Sequence, residues 1–343
     1  MKRVPFTHGV NLTQWFEVPS AAAINRTKFT KETFSNIKSL GADVVRLPIH
    51  FENISNKTHD YLLDENAMKL LDSVCDWCES LGLYLVIDNH SFFTHDALFD
   101  DIEHRLEKIW TQVASRYKSR SDKIIFEIYN EPHKCTNETW APIQGRIIKL
   151  IRKIDTSHTL VVGGVDYNSY LALNALPLYD DDNLIYTFHF YNPFLFTHQG
   201  ASWAEPSLVP LAGVPFPFDA KRMPPCPIEL IGTCWEQGLS SYAKDADITI
   251  LQSQLGIPAQ WAKQHDVPVW CGEFGSLKTN AKFEDRALWY ATMVNIFRSY
   301  NIPWTCWDYY GGFGLFKKGL QNRFPEDLEA SVVQALGFKC SGT

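Results

Sequence analysis

Ile124-Ile125-Phe126-Glu127-Ile128-Tyr129-Asn130-Glu131-Pro132 reads as an apolar, strand-like run that closes on a carboxylate ahead of a proline. A second stretch, Val267-Pro268-Val269-Trp270-Cys271-Gly272-Glu273-Phe274-Gly275, repeats the arrangement. An unpaired carboxylate is costly to bury, so neither Glu131 nor Glu273 is there to help the core. Two such groups in one chain suggest a pair whose environments divide acid and nucleophile roles between them.

Around these two stretches the chain alternates. Strand-like runs fall at Thr7–Leu12, Asp43–His50, Tyr84–His90, Ile124–Glu131, Thr159–Gly164, Asn183–Tyr191, Val267–Phe274 and Trp304–Tyr309. Most are continuous and β-branched, as parallel strands covered on both faces must be. Helical patterns lie between them, at Lys31–Leu40, Asp64–Leu81, Asp101–Tyr117, Trp140–Ile154, Thr249–His265 and Glu284–Ser299. Gly41 and Gly82 suit helix C-caps, and Gly256 with Pro258 predicts a break or kink. Eight βα units predict an α/β chain folded as a (β/α)8 TIM barrel, one catalytic domain over 1–343. A long loop after strand 6, Gly200–Asp247, is rich in Pro, Gly and aromatics, and loops of that length usually carry function.

With a net charge of −7 over 343 residues, neither nucleic acid nor an anionic membrane is expected as a partner. No apolar run reaches transmembrane length, and Met1–His8 lacks an apolar signal segment. The expected compartment is the cytoplasm, or the exterior after loss of a leader. Of the eight cysteines, Cys75 and Cys78 form C-x-x-C inside a helical pattern without a matching second pair, and so read as buried helix residues. Cys226 and Cys234 flank a Pro-rich stretch and could bridge under oxidising conditions. Among eleven Trp, Trp77, Trp110, Trp140, Trp261 and Trp289 read as core. Trp15, Trp203, Trp235 and Trp307 lie in loops or at strand ends, where flat rings can stack on the apolar face of a sugar.

A barrel gathers its site at the C-terminal strand ends. Reading those ends as one surface brings together Asn11 with Gln14 and Glu17, Arg46 with His50, His90, Asn130 with Glu131, His189 with Tyr191, Glu273, and Trp307 with Asp308. Any one of these has a bland reading as a satisfied strand-end polar residue, but their convergence does not. The set suits glycosidic cleavage. Glu131 would be general acid and then base, with its pKa raised by burial and a neighbouring carboxylate. Glu273 would be the nucleophile, held ionised by Arg46 and the Tyr191 hydroxyl. His189 and His90 can donate to carboxylates or sugar hydroxyls. Asn130 can bond the 2-hydroxyl of the reacting ring, and Trp307 can floor it. No cofactor is expected. A metal at His90, Asp88 and His189 lacks compact ligand spacing. No G-x-S-x-G elbow, P-loop or dinucleotide fingerprint is present.

At these residues the chain resembles glycoside hydrolase family five, the cellulase family of retaining (β/α)8 enzymes. The resemblance is carried, in order, by Val45-Arg46-Leu47-Pro48, Ile87-Asp88-Asn89-His90, Tyr129-Asn130-Glu131-Pro132, His189-Phe190-Tyr191, Gly272-Glu273-Phe274-Gly275 and Trp307-Asp308, and it spans essentially the whole chain. It implies a monomeric, metal-free endo-β-1,4-glucanase acting on a β-glucan polysaccharide or oligosaccharide. Glu131 would be its acid/base, Glu273 its nucleophile, and Arg46, His90, Asn130, His189, Tyr191 and Trp307 would line the −1 subsite. Asn11, Glu17 and Trp203 are implied as nearby glycone or positioning residues. A β-mannanase, a xyloglucanase or mixed-linkage glucanase of the same mechanism, and an inactive carbohydrate-binding barrel are the alternatives. The 2-hydroxyl would be read near Asn130 and His198 or Gln199. Where many relatives carry a His-His pair at the end of the third strand, this chain has His90-Ser91.

Overall fold

The computed structural model describes residues 3–91 and 101–339; Met1 and Lys2 of the N-terminal stretch read above lie outside these ranges. Among the described residues, eight parallel strands close into a barrel. They are β1 (His8–Asn11), β2 (Val44–Ile49), β3 (Tyr84–Asn89), β4 (Ile124–Glu127), β5 (Leu160–Gly163), β6 (Leu184–His189), β7 (Val269–Phe274) and β8 (Trp304–Cys306). β8 returns to β1 with Val10 opposite Cys306. The fold is a (β/α)8 barrel.

Helices Lys31–Ser39, Glu65–Leu81, Ile102–Tyr117, Asn137–Ile154, Ile248–His265 and Phe283–Tyr300 stand where the periodicity predicts them. Gly82, at φ 68°, caps Glu65–Leu81, and its N–H returns to the Cys78 and Glu79 carbonyls. The predicted break at Gly256 does not occur: Ile248–His265 runs through Pro258 as one helix. The 200–247 stretch is not all loop either, since it contains the helix Cys234–Asp245, capped by the Thr233 hydroxyl on the Trp235 N–H.

The inside of the barrel is layered by strand alternation. Val44, Val86, Ile125, Val161, Ile185 and Trp270 close its lower end together with Phe6, which meets Trp270 edge-on at 5.4 Å. Side chains two residues further along a strand share the same face. The next inward layer is therefore Arg46, Asp88, Glu127, Gly163, Thr187 and Gly272, and an apolar plug lies directly beneath a charged floor. On β7 the register slips: Cys271 pairs with Phe188, but Glu273 pairs with His189. The extra residue is Gly272, and a bulge of this kind re-aims the side chain that follows it. Glu273 thus points into the barrel, where strict alternation would have turned it outward.

Trp110, Trp140 and Trp289 are fully buried, as expected. Trp15 corrects its expectation. It is not a platform but a core residue, packed against Phe16 and Phe29 with its indole N–H on the Asn25 carbonyl. Cys75 and Cys78 are buried on their helix, and Cys226 and Cys234 are both free thiols. No helix of the described residues is long and apolar enough to cross a membrane.

Candidate active site

Arg46 is the hub of the charged floor. It is wholly buried, and its guanidinium spends every face on a partner. Nε and Nη2 donate to the two oxygens of Glu127 at 2.7 and 2.9 Å. Nη2 also meets Asn130 Oδ1 at 2.7 Å and Asp88 at 3.0 Å. Nη1 donates to Asn11 Oδ1 at 2.9 Å and to Glu273 Oε1 at 2.7 Å. Burial alone would discharge this group, but Asp88, Glu127 and Glu273 together raise its pKa well above the ordinary arginine value. A planar, always-charged fork suits such a position, where a lysine would offer a single point.

Burial is also the main force on the acids. It pushes Glu127 and Asp88 each up to about 8, against the pull of Arg46. Glu273 receives a second donor, the Tyr191 hydroxyl, on Oε2 at 2.8 Å. Tyr191 itself is pushed upward, first by burial and then by Glu273, so it stays a donor.

Glu131 is placed differently. The sequence put it at the end of a strand, but β4 ends at Glu127 and Glu131 lies four residues further, in a segment without regular structure. Its carboxyl oxygen Oε1 meets His189 Nδ1 at 2.6 Å. Burial raises its pKa to about 7, opposed by His90, Arg46 and His133. Burial lowers His189 to about 3, so the ring is neutral, and the contact accommodates the proton on either partner. An oxygen of Glu131, a ring nitrogen of His189 and an oxygen of Glu273 all lie within 4.8 Å of one another. Among the described residues this is the one group with metal-ligating geometry; the metal set considered from sequence, His90 with Asp88 and His189, is not brought together.

The hydrogen bonds fix the His90 tautomer. Asn130 Oδ1 is committed to Arg46, so its Nδ2 faces His90 Nε2 at 3.3 Å and donates. His90 Nδ1 therefore carries the hydrogen and donates it in a hydrogen bond to Asp88 Oδ2 at 2.6 Å. Its ring stacks on Trp307 at 5.4 Å and 16°.

Above this floor lies a cleft of about 940 Å³, walled by Glu17, His90, Glu131, His189, Tyr191, Glu273, Trp307 and Trp203, the last 61% exposed. Arg46, Asn11 and Asn130 lie beneath it, at 0%, 0% and 2% exposure. Asn11 is occupied by the Gly272 and Cys306 carbonyls and by Arg46. His50, read at the same strand end as Arg46, does not line the cleft. His198 does, whereas Gln199 is buried on the backbone of Phe196 and Val214. Ser91 turns away, its hydroxyl on Asn89 at 2.7 Å. Glu127 and Tyr167 were missed by sequence reasoning. The signal for Glu127 was available: it follows Ile125 by two residues, the inward phase of β4. A cavity of about 1040 Å³ at the opposite end of the barrel, near Arg3 and Phe6, has no carboxylate in its lining.

The family model for Cellulase (glycosyl hydrolase family 5) matches residues 6–312. The chain belongs to this family. It is a glycoside hydrolase, with the family's barrel over nearly its whole length. Endoglucanase C of Acetivibrio thermocellus is 29% identical over 318 residues, covering 89% of this chain and 92% of that protein. Endoglucanase 3 of Fibrobacter succinogenes is 29% identical over 91% of this chain, which spans about half (50%) of that longer relative. Among solved structures, a hyperthermophilic endo-β-1,4-glucanase in complex with substrate superposes with a TM-score of 0.79 at 28% identity, covering 97% of each chain. Cel5A of Thermotoga maritima in complex with mannotriose gives 0.77 at 27% identity, covering 96% of this chain and 97% of that one.

Proposed function

We propose that residues 1–343 act as a single catalytic domain, a retaining endo-β-1,4-glucanase that cleaves internal bonds of a β-glucan. The observation that carries this reading is the approach of Glu131 and Glu273 oxygens to within 4.8 Å. Retaining glycosidases hold their carboxyl groups about 5–5.5 Å apart, whereas inverting ones leave room for a water. The two groups also differ as the roles require. Glu273 accepts from a guanidinium on one oxygen and a phenol on the other, and Glu131 is pushed up to about 7, where a proton is at hand.

In the first step a Glu273 oxygen attacks the anomeric carbon as the glycosidic C–O bond breaks, and the Glu131 proton goes to the leaving oxygen. In the second step water attacks the glycosyl ester, giving its proton to Glu131 and freeing Glu273. Trp307, braced by His90, offers a floor for the reacting ring. Asn130, one layer down, supports that floor by donating from Nδ2 to His90 Nε2 at 3.3 Å. Glu17 and Trp203 lie along the cleft for neighbouring sugars.

A second substrate reading is β-mannan of the same linkage, favoured by the structural neighbour whose complexes hold mannotriose and cellobiose. Incubation with soluble glucan, mixed-linkage glucan, xyloglucan and mannan, followed by product sizing, tests both. Rapid shortening of a β-1,4-glucan with oligosaccharide products is expected. Release of monosaccharide only would overturn the endo assignment, and no cleavage of any β-glycan would favour a binding barrel.

A further inference from the structure

Glu131 lies in a stretch, 128–136, with neither helix nor strand to hold it. A general acid must nevertheless be placed to a fraction of an ångström, and a misplacement of 1 Å can cost about 10²-fold in rate. The backbone carbonyls on both sides of Glu131, and its own, are each taken by a donor. The Asn168 side-chain amide donates to the Asn130 carbonyl. The Tyr167 backbone N–H donates to the Pro132 carbonyl at 3.2 Å. The His133 ring donates from Nδ1 to the Glu131 carbonyl at 2.8 Å.

Two of these donors come from one turn after β5, built against local preference. Asp166, Tyr167 and Asn168 have φ of 54°, 59° and 55°, three consecutive non-glycine residues in the left-handed region. Such conformations are unfavourable for side chains with a Cβ and persist where surrounding structure demands them. The turn is tied down on its far side, where Ser169 bridges to His189, the residue that touches the Glu131 carboxyl. Asn168 is wholly buried, and the space it fills is given by Gly163. A Cβ at Gly163 would fall 1.9 Å from Asn168 Oδ1. Tyr167 keeps its ring face to face with His133 at 4.6 Å and 9°, which ties the third donor to the same turn.

We propose that Asn168, presented by this left-handed turn, is a positioning residue for Glu131, setting the height of the acid/base carboxyl over the scissile oxygen. Asn130-Glu131-Pro132 is gripped by its backbone from the β5 side, and only a donor at Asn168 can hold the Asn130 carbonyl. An aspartate of the same size would face that carbonyl with a carboxylate. The inference rests on the acid/base reading of Glu131.

The test is the dependence of kcat/KM on leaving group, from unsubstituted cello-oligosaccharides to a dinitrophenyl cellobioside, for wild type, Asn168→Asp, His133→Phe and Glu131→Ala. A dinitrophenolate leaves without a proton, so a displaced acid hurts only the poor leaving groups. Asn168→Asp is expected to lose roughly tenfold or more on oligosaccharides and less than threefold on the activated glycoside. His133→Phe keeps the ring stack, removes one donor on a partly exposed side chain, and should show the same pattern more weakly. Equal losses on all leaving groups, or none, in both variants would overturn the inference. If Asn168→Asp does not fold, an unsteepened profile in His133→Phe overturns it. If Glu131→Ala does not steepen the profile, the acid reading itself falls, a separate result from failure of the clamp alone.

Discussion

Glu273 lies on a strand and is held through its side chain, by Arg46 on one oxygen and Tyr191 on the other, whereas Glu131 lies four residues past a strand and is held through its backbone. On the roles proposed for the two glutamates, the contrast follows from their tasks. A nucleophile must stay charged, so it is joined to a buried cation whose other partners, Glu127 and Asp88, fix the direction of the fork. An acid/base must change charge twice per cycle, and a close cation would hold it ionised. Fixing its backbone gives the position while leaving the carboxyl to a neutral histidine.

The most severe way to break this contrast is Glu273→Gln. Turnover on every leaving group should fall by about 10⁴-fold or more, with melting temperature nearly unchanged, because no other group can form the ester. Substantial residual turnover would remove Glu273 from its role. Glu131→Ala should lose about 10²–10⁴-fold on poor leaving groups, and azide should partly restore kcat on activated ones by attacking the ester without a base. A uniform loss would erase the distinction between the two halves.

Arg46→Met sharpens the comparison from the other side. It strands Asp88, Glu127 and Glu273 without a cation, and breaking a buried ion network by one partner costs about 3–5 kcal/mol. Denaturant unfolding measures this, and a loss under about 1 kcal/mol would mean that the floor tolerates its charges without the hub. The pH profile distinguishes the halves again. Glu131 must be protonated to serve the leaving oxygen, and its pKa is raised to about 7. The oligosaccharide kcat/KM should therefore fall as pH rises through that value, and the fall should vanish in Glu131→Gln. The smallest effect is expected for Trp203→Ala. The ring is 61% exposed and lies against His198 and Phe313. It should raise KM for longer oligosaccharides a few-fold, consistent with about 0.5–1.5 kcal/mol for an aromatic contact, and leave stability unchanged.

The barrel was legible because parallel strands buried on both faces leave unbroken apolar runs, and all eight are found at the predicted places. Glu131 and Glu273 stood out for the same reason, as carboxylates that such runs cannot absorb. What strand periodicity hid was depth. Arg46, Asn11 and Asn130 share the strand-end neighbourhood of His90 and Trp307 but lie one layer lower. A one-dimensional pattern marks which residues gather and not which of them reaches the cleft. Glu127 lies in the inward phase of its strand, two residues after Ile125, but Glu131, ahead of its proline, is the more conspicuous carboxylate of the two. The grip of the turn at 166–168 on the acid joins segments some forty residues apart, and nothing local in the sequence announces it. Trp15 shows the converse, a loop tryptophan that is buried in the core.

Everything in the comparison between the two glutamates depends on a covalent intermediate at Glu273. The direct measurement is proton NMR of the anomeric signals during the first minutes of cello-oligosaccharide hydrolysis, before mutarotation. The β-anomer appearing first is the predicted result, and the α-anomer appearing first would contradict the account.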